Sequence, residues 1–328
     1  MKYIPFILLL LLTSCYDEID LSKYGRQEGL DKLTLNAVVN EDSTIKVFAS
    51  RPFYYTSNHT KPDVVENLSI NLLVNGNKMG MMTYNKDTQR YESNVKPKQG
   101  DRIQLQTSYN GQLVQVEDSV PEVVKIEKVT ASRQGPMHIY EDYDYRVNYH
   151  ITFTDKAGEA NYYFLRYDAY TPDTLSPNKW NLYMGECNYE REFVFTQLAN
   201  QVNATIPGWE PYSPYGLPFS DYGIDGKTYT LNVGEIIQNS SEDSGPYADC
   251  MFRKFTLYSI SKAYYNFLVS QLGTKMSSGI QGGLIDVGLV EPQRYYSNVE
   301  GGLGIMGCYT ENAMIINVFT QTGDFSRK

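Results

Sequence analysis

The sequence predicts a mainly β protein. Short runs in which apolar and polar residues alternate recur from Lys32 onward, turn-forming residues separate them at close spacing, and an apolar period of three and four residues occurs clearly only once. Together these predict an N-terminal antiparallel sandwich of immunoglobulin-like kind over residues 32–120. A larger β-rich domain follows over residues 121–328, with one substantial helix near residues 260–272.

The first element precedes the fold. Lys2 is followed by an apolar run, Ile4–Leu12, that ends in Leu12-Thr13-Ser14-Cys15. The run is shorter than the roughly 20 residues a bilayer-spanning helix needs, and small residues stand directly before the cysteine. Residues 1–14 therefore read as a lipoprotein signal peptide, and Cys15 as the acylated N-terminus that anchors the chain in lipid. Each buried CH₂ of an acyl chain contributes about 0.8 kcal/mol, so several chains anchor stably. Residues 15–31 form an acidic tether: Asp17, Glu18 and Asp20 stand close to the anchor, and Leu21–Asp31 is polar and holds Gly25 and Gly29.

The strands begin after the tether. Leu33, Leu35 and Ala37 alternate with Thr34 and Asn36, and Ile45, Val47 and Ala49 alternate after the turn-like Asn40-Glu41-Asp42-Ser43. Leu68–Val74 closes on Asn75-Gly76, and Ile103–Tyr109 on Asn110-Gly111; both pairs suit type I′ hairpin turns. Met79–Tyr84 and Arg90–Val95 lie between. The segment Asp118–Glu122, with Pro121, reads as a domain junction.

Beyond it, Val147–Phe153 and Tyr162–Tyr170 are strands, whereas Leu175–Asp225 is irregular and rich in aromatic residues. Trp180, Tyr183, Trp209, Tyr212 and Tyr215 in that stretch are the candidate ligand-binding residues, since rings on exposed loops suit recognition. In Ser259–Gly273, the residues Ile260, Tyr264, Phe267, Leu268 and Leu272 recur at helical spacing, with Ser259 as expected cap and Gly273 as expected end. A final strand is expected at Met314–Phe319.

Composition narrows the function. The chain has 328 residues, a formal charge of −9 and no basic run, so it offers nothing to neutralise phosphates and nucleic acid is excluded as a partner. Twenty-nine tyrosines suit half-buried strands and binding surfaces alike. Besides Cys15 there are three cysteines; Cys187 and Cys250 flank the aromatic stretch and are the expected disulfide, leaving Cys308. No cysteine or histidine spacing fits a zinc motif, so no metal is expected.

Gly302-Leu303-Gly304-Ile305-Met306-Gly307 matches G-x-G-x-x-G, but no helix follows it, so no dinucleotide or other cofactor is expected. Glu141-Asp142-Tyr143-Asp144 lacks the glycine turn and distal glutamate of a calcium loop and reads as a solvated acidic hairpin. His59, His138 and His150 are scattered, with His150 an ordinary strand residue. No catalytic motif is present, although a triad can assemble from distant residues.

The tail Glu291-Pro292-Gln293-Arg294-Tyr295-Tyr296-Ser297-Asn298-Val299-Glu300-Gly301-Gly302-Leu303-Gly304-Ile305-Met306-Gly307 resembles the C-terminal signature of a Bacteroidota lipoprotein family known as domain of unknown function 4249. The resemblance extends to Asp225-Gly226-Lys227-Thr228-Tyr229, Gly158-Glu159-Ala160-Asn161-Tyr162-Tyr163 and Cys15–Leu21, whose acidic residues are similar to the export signal that sends such lipoproteins to the cell surface. It implies an accessory role beside a TonB-dependent outer-membrane receptor and carries over no catalytic residues. The leading expectation is a non-enzymatic outer-membrane lipoprotein, facing the cell exterior, that binds a small-molecule, glycan or peptide cargo. A surface hydrolase or peptidase on a β scaffold, and an adhesin, are the alternatives.

Overall fold

Alternation along Thr34–Val39 (β1) and Lys46–Arg51 (β2) sends Leu35, Ala37, Val39, Val47 and Ala49 to one buried face, and the two strands pair antiparallel. The computed structural model describes residues 31–52, 61–139, 144–172, 180–184, 192–195, 198, 216–237, 252–276 and 295–318. Cys15, Cys187, Trp209, Tyr212, Tyr215 and Cys250 lie outside these residues, as does the acidic stretch up to Tyr143.

Three hairpins follow. β4 (Asn71–Val74) and β5 (Asn77–Met81) turn through Asn75 and Gly76 at φ of 53° and 78°; β8 (Arg102–Tyr109) and β9 (Gln112–Ser119) turn through Asn110 and Gly111 at 51° and 79°. Both turns have the two positive φ values that type I′ demands. β6 (Thr83–Asn85) and β7 (Arg90–Glu92) form the third, and the short β3 (Asp63–Val64) pairs with β2. The strands sort into two layers of order β1-β2-β7-β6 and β5-β4-β8-β9. Leu35, Val47 and Tyr91 from the first meet Leu72, Leu105 and Val116 from the second in one core. Each such side chain contributes about 1.5–3 kcal/mol by leaving water.

The rest of the chain builds a second pair of layers. β10 (Ile126–Met137), β11 (Asp144–Thr154) and β15 (Thr228–Ile237) form a three-stranded antiparallel sheet. Facing it, β12 (Tyr162–Pro172) pairs with β16 (Phe252–Ile260) on one side and with β14 (Leu217–Ser220) and β13 (Trp180–Met184) on the other. Tyr149, Phe153 and Leu231 pack against Tyr163, Leu165 and Leu257 between the layers. At the edge of that core Glu235 accepts the hydroxyls of Tyr149 and Tyr167, and an N–H from Arg253 at 2.9 Å, so this largely buried carboxylate is well partnered.

The last strand, β17 (Leu303–Asn317), belongs to both halves. Its first part, Leu303–Cys308, runs parallel to β1, and its second, Tyr309–Asn317, antiparallel to β16. The expectation of a wholly antiparallel N-terminal sheet is thus corrected: β1 takes a parallel neighbour from the far end of the chain, which no local pattern encodes. The strand also starts well before the expected Met314. The glycines of the G-x-G-x-x-G match explain why it can. Gly304 adopts φ +108°, and a Cβ there would lie 2.0 Å from the Leu35 carbonyl oxygen; a Cβ on Gly307 would lie 2.7 Å from the Tyr264 ring.

The helix, α1 (Lys262–Met276), is displaced from its expected frame. Ser259 and Ile260 complete β16, and Ser261 is the cap: its Oγ accepts the Tyr264 N–H at 3.2 Å and its carbonyl the Tyr265 N–H at 2.9 Å. Residue 273 is itself helical, so glycine does not end α1 there. The helix packs on β17, β12 and β14, with Val269 and Leu272 against the second core.

Candidate functional site at the junction

Between the two halves the chain leaves β9, crosses through Val120 and Pro121 and enters β10. This crossing, the loop after β11 and the turn from β16 into α1 wall a cleft of about 840 Å³. A large cleft with convergent polar groups is the natural first candidate for ligand binding.

Its most deeply buried carboxylate is Asp118, from the end of β9. Oδ2 accepts the Ser261 hydroxyl and the Cys308 N–H at 2.9 Å, while Ser261 Oγ in turn accepts the Tyr264 N–H. One carboxylate therefore ties β9 of the first half to the N-terminus of α1 and to β17. Burial pushes its pKa up to about 6, against the opposing effect of hydrogen bonds from Ser261 and from the backbone of Ser119 and Cys308. The Cys308 thiol, buried beside it, is held well above the ordinary thiol range by burial first and by Asp118 second.

The outer wall is charged. Lys156 bridges Glu159 at 2.8 Å and Glu122 at 3.0 Å, and hydrogen bonds to these two carboxylates raise its pKa. Tyr162 contributes a ring 4.8 Å from that of Tyr265 on α1.

Behind Lys156 lies a cluster of three carboxylates, Asp155, Asp221 and Asp225, with one oxygen of each within 4.8 Å of the others. Each already has donors. Asp155 accepts the Tyr163 hydroxyl and the Gly226 N–H at 2.8 Å, Asp221 the Asn161 N–H at 2.7 Å, and Asp225 the Gly158 N–H at 3.0 Å. Burial, together with the charges of Asp155 and Asp225, raises the Asp221 pKa. Hard cations take six to eight oxygens, so these side chains would form half of a calcium shell; as they stand they clasp the loop after β11 to the one before β15.

Of the residues expected to bind ligand, Trp180 and Tyr183 fall on β13, where their backbones pair with Pro172 and Ala169 at the edge of the large sheet. Trp209, Tyr212 and Tyr215 are outside the described residues, as are the expected pair Cys187 and Cys250 and the expected lipidation site Cys15. Sequence reasoning placed Asp118 in the junction segment without giving it a role, and did not single out Ser261. Pro121 marked the place but not the partners of Asp118, which lie 143 and 190 residues away.

Among the described residues no helix is long and apolar enough to cross a membrane. No curated protein matches the chain. A solved structure provisionally described as a membrane anchored protein, from Corynebacterium diphtheriae, is similar at 9% identity and a TM-score of 0.21; the match covers 70% of this chain and 55% of that one. A family model described as domain of unknown function (DUF4249) matches residues 18–314, most of the length, and the chain belongs to that family.

Proposed function

We propose that the protein is a surface-anchored lipoprotein that serves as a binding or accessory subunit of a TonB-dependent nutrient importer. In this reading residues 1–14 are removed, Cys15 is acylated in the outer membrane, and residues 15–31 hold the folded part at the cell exterior. Reading β1-β2-β7-β6 and β5-β4-β8-β9 as the two sheets of an immunoglobulin-like sandwich gives a rigid N-terminal spacer beside the membrane. The second half, with Trp180, Tyr183, Trp209, Tyr212 and Tyr215, carries the recognition loops. A Cys187–Cys250 bridge would brace them.

The observation that carries a binding role is the junction cleft. Its walls come from both halves of the chain, and its ionisable groups are partnered with one another and with backbone: Asp118 with Ser261 and Cys308, Lys156 with Glu122 and Glu159. Such walls suit a polar cargo, a small molecule, glycan or peptide, held by displacement of existing hydrogen bonds.

The test is to extract the tagged protein from native outer membranes in mild detergent and identify what co-purifies in comparable amount by mass spectrometry. A stoichiometric TonB-dependent barrel is the expected result. Recovery of the protein alone would sink the importer reading and return weight to a free-standing hydrolase or an adhesin.

A further inference from the structure

The outer face of the β10–β11–β15 sheet carries a second constellation. Alternation along β11 buries Val147, Tyr149, Ile151 and Phe153 and leaves His150 on the opposite face. Register sets His150 beside Asn232 of β15, and Ser132 of β10 beside Asn148.

The contacts there have a direction. Asn232 donates to Glu192 Oε1 twice, from Nδ2 at 2.9 Å and from its backbone N–H at 2.7 Å; Glu192 is buried and also accepts the Tyr229 hydroxyl at 2.6 Å. With Nδ2 committed, the amide oxygen of Asn232 faces His150 Nδ1 at 2.5 Å. An amide oxygen can only accept, so Nδ1 carries the proton and the neutral ring keeps its lone pair on Nε2. Nε2 lies 3.4 Å from Ser132 Oγ, which is exposed to solvent. On the same face Thr152 pairs with Thr230, and Thr154 pairs with Thr228 while donating to Glu127 at 2.6 Å; neither pair includes an imidazole.

We propose that Ser132 is a nucleophile with His150 as its general base, held by Asn232 and Glu192 as positioning residues, and that it accepts acyl groups from small carboxylic esters. The inference adds a chemistry that the binding reading does not use. The Ser132 O–H bond breaks as Oγ forms a bond to the ester carbonyl carbon, and the proton passes to Nε2. Collapse of the tetrahedral adduct breaks the C–O bond to the leaving group, which takes the proton from Nε2 and departs as an alcohol. Water repeats the sequence at the acyl-serine, releasing a carboxylic acid and restoring Ser132. Arg146, exposed two residues along β11 from Asn148 and on the same face by alternation, is a cation available to the developing oxyanion. The open face offers no walled acyl pocket, so reactivity follows the leaving group and activated esters react fastest.

The experiment treats the purified protein with a fluorophosphonate probe and locates the adduct by peptide mass spectrometry. The expected result is a label on Ser132, absent in Ser132→Ala and formed about 10²-fold more slowly in His150→Gln. Asn232→Ala should slow labelling, and Asn232→Gln, which keeps an amide able both to donate to Glu192 and to accept from Nδ1, should recover part of the rate. All these positions are on a solvent-facing sheet surface, and an unchanged melting transition confirms that each variant is folded. Folded protein that takes no label at Ser132 overturns the proposal, as does His150→Gln labelled at the wild-type rate. Either outcome is independent of what co-purifies from the membrane.

Discussion

At the residue scale Asp118 has the clearest consequence. Its carboxyl is pushed from the ordinary 3.8 to about 6 by burial, so between those values the folded chain holds a proton that the unfolded chain has released. The native state binds more protons there, and stability falls as pH rises. The contribution is present below about pH 4 and lost by about pH 6; the whole shift corresponds to about 3 kcal/mol. Asp118→Asn keeps an acceptor for the Ser261 hydroxyl and the Cys308 N–H but does not titrate. Relative to wild type the variant should therefore gain about 3 kcal/mol on going from pH 4 to pH 7. Urea unfolding of both proteins at the two pH values measures this, and an identical difference at both would show that Asp118 is not the group responsible.

At the scale of elements the glycines of β17 decide whether the sheet can close. Gly304→Ala would place a methyl 2.0 Å from the Leu35 carbonyl in a backbone conformation at φ +108°. Strain of that kind costs about 1–3 kcal/mol before the collision with backbone is counted, so a loss of at least about 3 kcal/mol is expected. Gly76→Ala is the control. It shares a positive φ, 78°, but has open space around the site, and should cost about 1 kcal/mol. Equal urea midpoints for the two variants would remove the close approach to β1 as the reason for glycine.

The same elements show what was legible in advance. The Asn75-Gly76 and Asn110-Gly111 hairpins, and alternation in β1, β2 and β8, are local properties that a short window records. The helix was legible to within a few residues; Ser259 and Ser261 are both good caps, and only the pairing of β16 with β17 through Ile260 excludes the first. The parallel pairing of β1 with β17 leaves no local trace. Asp118, Ser261 and Cys308, like Ser132, His150 and Asn232, are individually ordinary strand and turn residues. Only the sheet registers and the junction bring them together.

For the whole molecule, the shared strand determines how the chain comes apart. Met306 and Cys308 of β17 lie in the first core, Ile316 of the same strand in the second, and Val299 just before it in the first. Further bonds tie the two halves together: the Ser261 hydroxyl donates to Asp118 of β9, the Asn40 amide N–H after β1 donates to the Tyr309 hydroxyl at 2.7 Å, and Gln115 of β9 pairs through its backbone with Glu300 just before β17. Removing β17 from either half would expose the edge of β1 or of β16 together with apolar side chains that it now covers. Neither half can then unfold while leaving the other intact, and the two cores should melt together. Both tryptophans, Trp180 and Trp209, are in the second half, so their fluorescence reports on that half alone, whereas far-ultraviolet circular dichroism reports on every strand. Superimposable urea transitions by the two probes are expected, the signature of one cooperative unit. A dichroism transition that fluorescence does not share would mean that the first sandwich holds its four-stranded layers without β17, and that the contacts at β1 are dispensable.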